Sequence, residues 1–183
     1  MKSTTKDMVY IALSTTIMII CTFITIPFSV PFTMQTFALF TIIGLFGTKR
    51  AFISVCLYLL LGIIGLPVFS GFRGGLGTLL GVTGGYLMGF LLTSLVSGIL
   101  LKLFSKKKST SAPLYFIAML SGLIACYAFG TAWYVLLYTN STGSISFTSV
   151  LSLCVFPFIL PDVVKILLSF SVVKLLKKHL SLS

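Results

Sequence analysis

"FPFILPDVVKILLSF", residues 156–170, decides how this chain must be read. The run is apolar except for Asp162 and, three positions later, Lys165. The whole chain of 183 residues holds two acidic side chains, so the placement of one here demands a reason. Around this stretch the composition is 57% hydrophobic and 8% charged, whereas roughly a quarter of a soluble domain is charged. Apolar stretches of about 20 residues recur, long enough to cross a hydrocarbon core of roughly 30 Å. The expectation is a single all-α integral membrane domain covering residues 1–183.

Apolar runs between turn signals predict six helices, at about 8–26, 35–46, 51–66, 85–104, 114–137 and 161–177. Pro27 stops the first and Gly47 ends the second. Residues 150–160 are also apolar, and Pro157 and Pro161 separate them from the last helix as a candidate short preceding one. The basic start and long apolar run at the N-terminus, without a small-residue cleavage site, read as an uncleaved first helix rather than a signal peptide. Cys21, Cys56, Cys126 and Cys154 lie singly in apolar segments and read as small buried hydrophobes.

The net charge of +11 invites a nucleic-acid reading, but the basic residues form short clusters between apolar runs, which is a signature of membrane topology. Lys2 and Lys6 precede the first span, and Lys49 and Arg50 separate the second from the third. Lys102, Lys106, Lys107 and Lys108 separate the fourth from the fifth, and Lys174, Lys177 and Lys178 close the sixth. Six crossings put all of these on one side, predicted to be the cytoplasm, with both termini there. Asp7 reads as a solvated terminal charge near Lys6, and His179 as part of the solvated tail. Arg73, Asp162 and Lys165 remain as charges that do not orient the chain.

At a rise of about 1.5 Å per residue, Asp162 lies roughly 18 Å and Lys165 about 13 Å along the helix from Lys174. Each such residue costs about 2.5–3.5 kcal/mol at the bilayer centre. Three positions apart, they share a helical face and can neutralise each other. They form either a structural ion pair between helices or part of a polar binding site opening outward. The second reading is favoured, because a buried pair is often no more stabilising than apolar packing. An intramembrane enzyme using Asp162 as a base would lack a second acid, a usable histidine and a metal constellation.

Between the third and fourth spans runs "GLPVFSGFRGGLGTLLGVTGGYLMGF", residues 65–90, with nine glycines and a lone arginine. Such a segment suits an outer loop folded back over the membrane core, where irregular backbone must be buried in protein or line a cavity. It is no nucleotide loop: Leu80 stands where the last glycine of GxGxxG would be, and no GK[ST] occurs. Arg73 is either an outer anchor or a bidentate partner for a ligand carboxylate. "VPFTMQTF" puts Thr33, Gln35 and Thr36 at the outer start of the second span, where a buried amide needs a partner. Tyr134 and Tyr138 read as an interfacial belt. Trp133 and Tyr86 (the latter beside Gly84 and Gly85) are open between that role and the wall of a ligand cavity.

"VPFTMQTF" (30–37), the 65–90 loop, "GTAWY" (130–134) and "LPDVVK" (160–165) together resemble the BioY family, the biotin-specific substrate-binding subunits of energy-coupling-factor transporters. The resemblance runs along nearly the whole chain. It implies six helices, cytoplasmic termini and biotin bound on the outer side of the cell membrane. Asp162 and Lys165 would then grasp the ureido ring, with Arg73, Gln35, Tyr86, Gly84 and Trp133 completing the site. It also implies a transmembrane coupling subunit and a pair of cytosolic ATPases as partners, since this chain has no phosphate loop and calls for no cofactor of its own. The docking surface would lie on the first helix, where Ala12 and Thr16 stand four apart. Another vitamin and a non-transport scaffold with a structural Asp–Lys pair are the alternatives.

Overall fold

The computed structural model describes residues 5–27, 30–104, 111–142 and 146–180. Its elements are α1 (Thr5–Phe23), β1 (Thr25–Ile26), β2 (Phe32–Thr33), α2 (Gln35–Ile63), α3 (Leu76–Leu79), α4 (Gly84–Phe104), α5 (Ala112–Thr142), α6 (Phe147–Cys154) and α7 (Phe156–Leu180). Among the described residues, five helical stretches are long and apolar enough to cross a membrane. Large apolar side chains such as Leu13, Ile124 and Leu160 are exposed (51%, 58% and 75%). Faces of that kind suit lipid, since a water-soluble domain does not leave them bare.

The 29 residues of α2 are not one straight rod. Gly47 alone leaves the helical region, at φ 77° and ψ 176°, a conformation that a side chain would strain. In a straight helix Gln35 and Tyr58 would stand roughly 34 Å apart. Instead the Gln35 amide donates to the Tyr58 hydroxyl at 2.6 Å. The chain therefore doubles back at Gly47, and the two arms lie against each other. Sequence reasoning placed spans at 35–46 and 51–66; the second arm begins sooner because a single glycine makes the reversal, and it ends at Ile63, shortly before Gly65 at φ 108°.

Other boundaries shift for visible reasons. The first helix ends at Phe23, three residues before the predicted 26, because Thr25 and Ile26 pair with Thr33 and Phe32 in a small antiparallel hairpin. The last helix begins at Phe156, not 161. Pro157 falls in its first turn, where an N–H has no helical partner anyway, and Pro161, one turn on, forfeits one backbone bond without ending the helix. The segment before it is helical over 147–154.

Packing gathers the basic clusters at one end of the bundle. Asp7 is not a free terminal charge: its Oδ1 lies 2.6 Å from Arg50 Nη2, and Arg50 also covers the Tyr10 ring at 5.1 Å. A Cβ added at Gly98 would fall 2.8 Å from Thr48 Cα, and one at Gly44 would meet both Val173 and Tyr115. Lys6, Lys49, Arg50, Lys102 and Lys174 thus flank the same end of the bundle. Lys2, Lys106, Lys107, Lys108 and the His179 side chain lie outside the described residues. α4 and α5 approach closely through Gly122, where a Cβ would fall 2.9 Å from the Thr93 carbonyl, and Thr93 donates across to the Gly122 carbonyl at 3.1 Å. Small residues and interhelical hydroxyl bonds of this kind hold helices together in lipid, where hydrophobic burial offers no preference. The core is filled by Met18, Phe40, Ile43, Tyr58, Met119 and Ile166, each fully buried.

Candidate functional site

At the end opposite the basic clusters, the first turns of α2 and α7 meet α5 and the segment joining α2 to α4. Asp162 follows Pro161 between the first and second turns of α7, and Lys165 lies on the same face. Both are buried, 3% and 4% exposed, and Lys165 Nζ lies 2.8 Å from Asp162 Oδ1. The pair is not isolated. Asp162 Oδ1 also accepts from the Thr36 hydroxyl at 2.9 Å, and Oδ2 accepts from the Tyr127 hydroxyl at 2.5 Å. Lys165 donates to the Thr33 carbonyl at 2.8 Å and to the Thr36 hydroxyl at 3.1 Å, and it sits 4.0 Å from the centre of the Phe32 ring. An ammonium has three N–H donors, and all three are engaged. The charge that would be prohibitively costly in lipid is therefore neutralised and hydrogen-bonded within the protein.

These groups open onto a cavity of about 180 Å³. Its wall includes Gln35, Thr36, Arg73, Tyr86, Tyr127, Asp162 and Lys165, with Phe69, Leu87, Phe90 and Phe158 among the apolar groups. Gln35 is 3% exposed; its amide nitrogen donates to Tyr58, and its oxygen accepts from the Thr33 hydroxyl at 2.7 Å. One N–H and one lone pair of that amide remain for another partner. Tyr86 shares a hydroxyl–hydroxyl bond of 3.1 Å with Thr131 on α5. Arg73 sits on the joining segment, whose backbone pairs Phe69 with Arg73 in an isolated antiparallel bridge. Both carboxylate side chains of the chain are engaged elsewhere, with Arg50 and with Lys165, so Arg73 has no acidic side-chain partner among the described residues.

Five of the seven residues singled out from the sequence thus meet at one cavity. Gly84 and Trp133 stand behind its wall. The Trp133 indole N–H donates to the Gly81 carbonyl at 3.1 Å, bracing the turn before α4. A Cβ at Gly84 would fall 1.7 Å from the Leu79 carbonyl oxygen, so only glycine lets α3 close onto α4. Tyr134 packs into a small apolar cluster with Val150, Cys154 and Val155 on and beside α6 instead of facing an interface. Sequence reasoning missed Tyr127 and Phe32. Tyr127 had one usable signal: Thr131, four residues on, shares its face of α5. On α1, Ala12 and Thr16 are exposed, and the Thr16 hydroxyl donates back to the Ala12 carbonyl at 3.0 Å.

The BioY family model matches residues 1–182. The chain belongs to the BioY family. Among relatives, the biotin transporter BioY of Thermotoga maritima is 37% identical over 126 residues, 68% of this chain and 72% of that one. The biotin transporter BioY of Lactococcus lactis is 34% identical over 182 residues, 95% of this chain and 92% of that one. A crystal structure at 2.1 Å of the S-component for biotin from an ECF-type ABC transporter superposes with a TM-score of 0.84 at 31% identity, covering 97% of this chain and 95% of that chain. With its apolar helices, this BioY-family chain is a multi-pass integral protein of the cell membrane.

Proposed function

We propose that the chain is the biotin-capturing subunit of an ATP-driven energy-coupling-factor transporter, a binding protein and not an enzyme. The observation that carries this reading is the buried Asp162–Lys165 pair facing a partly apolar cavity, in a chain whose relatives are biotin transporters. Biotin offers two ureido N–H donors, a ureido carbonyl, an apolar sulfur ring and a carboxylate tail. Asp162 supplies an acceptor for a ureido N–H. Lys165 can donate to the ureido carbonyl by exchanging one of its three protein contacts. Gln35 offers its remaining N–H, and the apolar wall covers the ring. Arg73, lacking an acidic partner, is placed to hold the tail carboxylate toward water, where a planar guanidinium binds in two-point fashion.

The doubling back at Gly47 supports six crossings with both termini on the cytoplasmic side, since it returns the chain between the basic clusters as the positive-inside rule requires. The cavity then opens outward. Reorientation and release need energy from elsewhere, which calls for a transmembrane coupling subunit and two cytosolic ATPases. Ala12 and Thr16 fit the docking surface for the former: with its hydroxyl bonded back along α1, Thr16 presents a methyl group, and the two small exposed residues permit close helix approach.

Calorimetry of the purified protein in detergent against a panel of vitamins tests the reading. Biotin is expected to bind and thiamine and riboflavin not to. Asp162→Asn is expected to weaken biotin roughly a hundredfold, the cost of losing a charged hydrogen-bond acceptor. Absence of biotin binding by the wild type would overturn the proposal.

A further inference from the structure

Asp162 is held from three directions by three different groups. Thr36 on α2 and Lys165 on α7 reach Oδ1 at 2.9 and 2.8 Å, and Tyr127 on α5 reaches Oδ2 at 2.5 Å. The carboxylate cannot turn without breaking a bond to another helix. An ionised carboxylate presents about four acceptor positions on its two oxygens. The described residues fill three, which leaves one, on the same oxygen that Tyr127 holds. Tyr127 is also the partition of the site: with Leu123 it lines both this cavity and a second, apolar one of about 480 Å³ bordered by Phe147, Leu151 and Ile159. Its hydroxyl is committed to Asp162, while its ring supplies apolar surface between the two spaces.

We propose that Tyr127 and Thr36 are positioning residues that set the selectivity of this site, by leaving Asp162 a single acceptor for one ligand N–H. The inference rests on the reading of the cavity as a biotin site and deepens it. A cyclic urea meets that single position with one of its two N–H groups, and the other must find a different acceptor. A ligand without a donor there strands a desolvated carboxylate position, which is how a polar site rejects a close analogue. Loosening the carboxylate removes that penalty, because a turning or hydrated Asp162 is no longer stranded.

The test is calorimetry in detergent with biotin and each of the two singly N-methylated biotins, on wild type, Tyr127→Phe, Thr36→Val and Thr36→Ser. Wild type is expected to prefer biotin by about a hundredfold over the analogue methylated at the contacted nitrogen. That ratio is expected to fall to about tenfold or less in Tyr127→Phe and Thr36→Val. Thr36→Ser, which keeps the hydroxyl, is expected to retain it. If every affinity falls by one common factor and the ratio stands, the two residues are merely structural and the inference fails alone. Should Tyr127→Phe not fold, the Thr36→Val and Thr36→Ser comparison decides, since valine preserves threonine's shape. Failure of the wild type to bind biotin would overturn the function reading and this inference together.

Discussion

The two acidic residues of this chain make two ion pairs of nearly equal length in opposite surroundings. Asp7 and Arg50 meet at 2.6 Å with side chains 27% and 35% exposed; Asp162 and Lys165 meet at 2.8 Å with side chains 4% and 5% exposed. Distance does not distinguish them, but solvent does. Water and salt screen the first pair, and such contacts contribute about 0–1 kcal/mol. The second has surrendered its hydration, so each charge depends on its protein partners, and removal of one leaves the other stranded. The first pair pins α1 to the returning arm of α2. The second joins three helices around a cavity, where a ligand can enter the network. A buried pair is an inefficient way to hold helices together, which is why its position beside an opening points to binding.

The two pairs differ most at Lys165. Lys165→Met is expected to lower stability by about 3–5 kcal/mol, read as a fall in melting temperature in detergent. An unchanged melting point would mean that the carboxylate tolerates losing its partner and that the contrast is overstated. Arg73 gives the next effect. Arg73→Gln is expected to weaken biotin about tenfold while leaving biotinamide, whose tail is neutral, unaffected; equal losses for both ligands would assign Arg73 to the loop's architecture. Asp7→Asn sharpens the contrast from the other side. Its cost should not exceed about 1 kcal/mol, should vanish in high salt, and should leave biotin affinity unaltered.

Much of the fold was legible because lipid imposes simple rules. Long apolar runs announced the helices, and charges that fit no topological role singled out Asp162, Lys165 and Arg73. Gln35 and Tyr86 were legible as polar groups near glycine or a span's start, and both line the cavity. What composition could not reveal was direction. The spacing of Tyr127 and Thr131 puts them on one face of α5 but does not aim Tyr127 at Asp162 until α5 is packed beside α7, and Trp133 looks like a cavity wall until its N–H is seen to brace Gly81. The prolines misled for a related reason. Pro157 falls in the first turn of α7, which makes room for it, and Pro161 lies inside the helix at the cost of one backbone bond, without ending it.

The reversal at Gly47 has a mechanical consequence. One non-helical residue leaves no slack between the arms of α2, and the Gln35–Tyr58 bond latches them again at the far end. Tyr58 also donates to the Val68 carbonyl, beside the stretch from Phe69 to Arg73 that lines the cavity, so a tilt of this bent rod carries that wall with it.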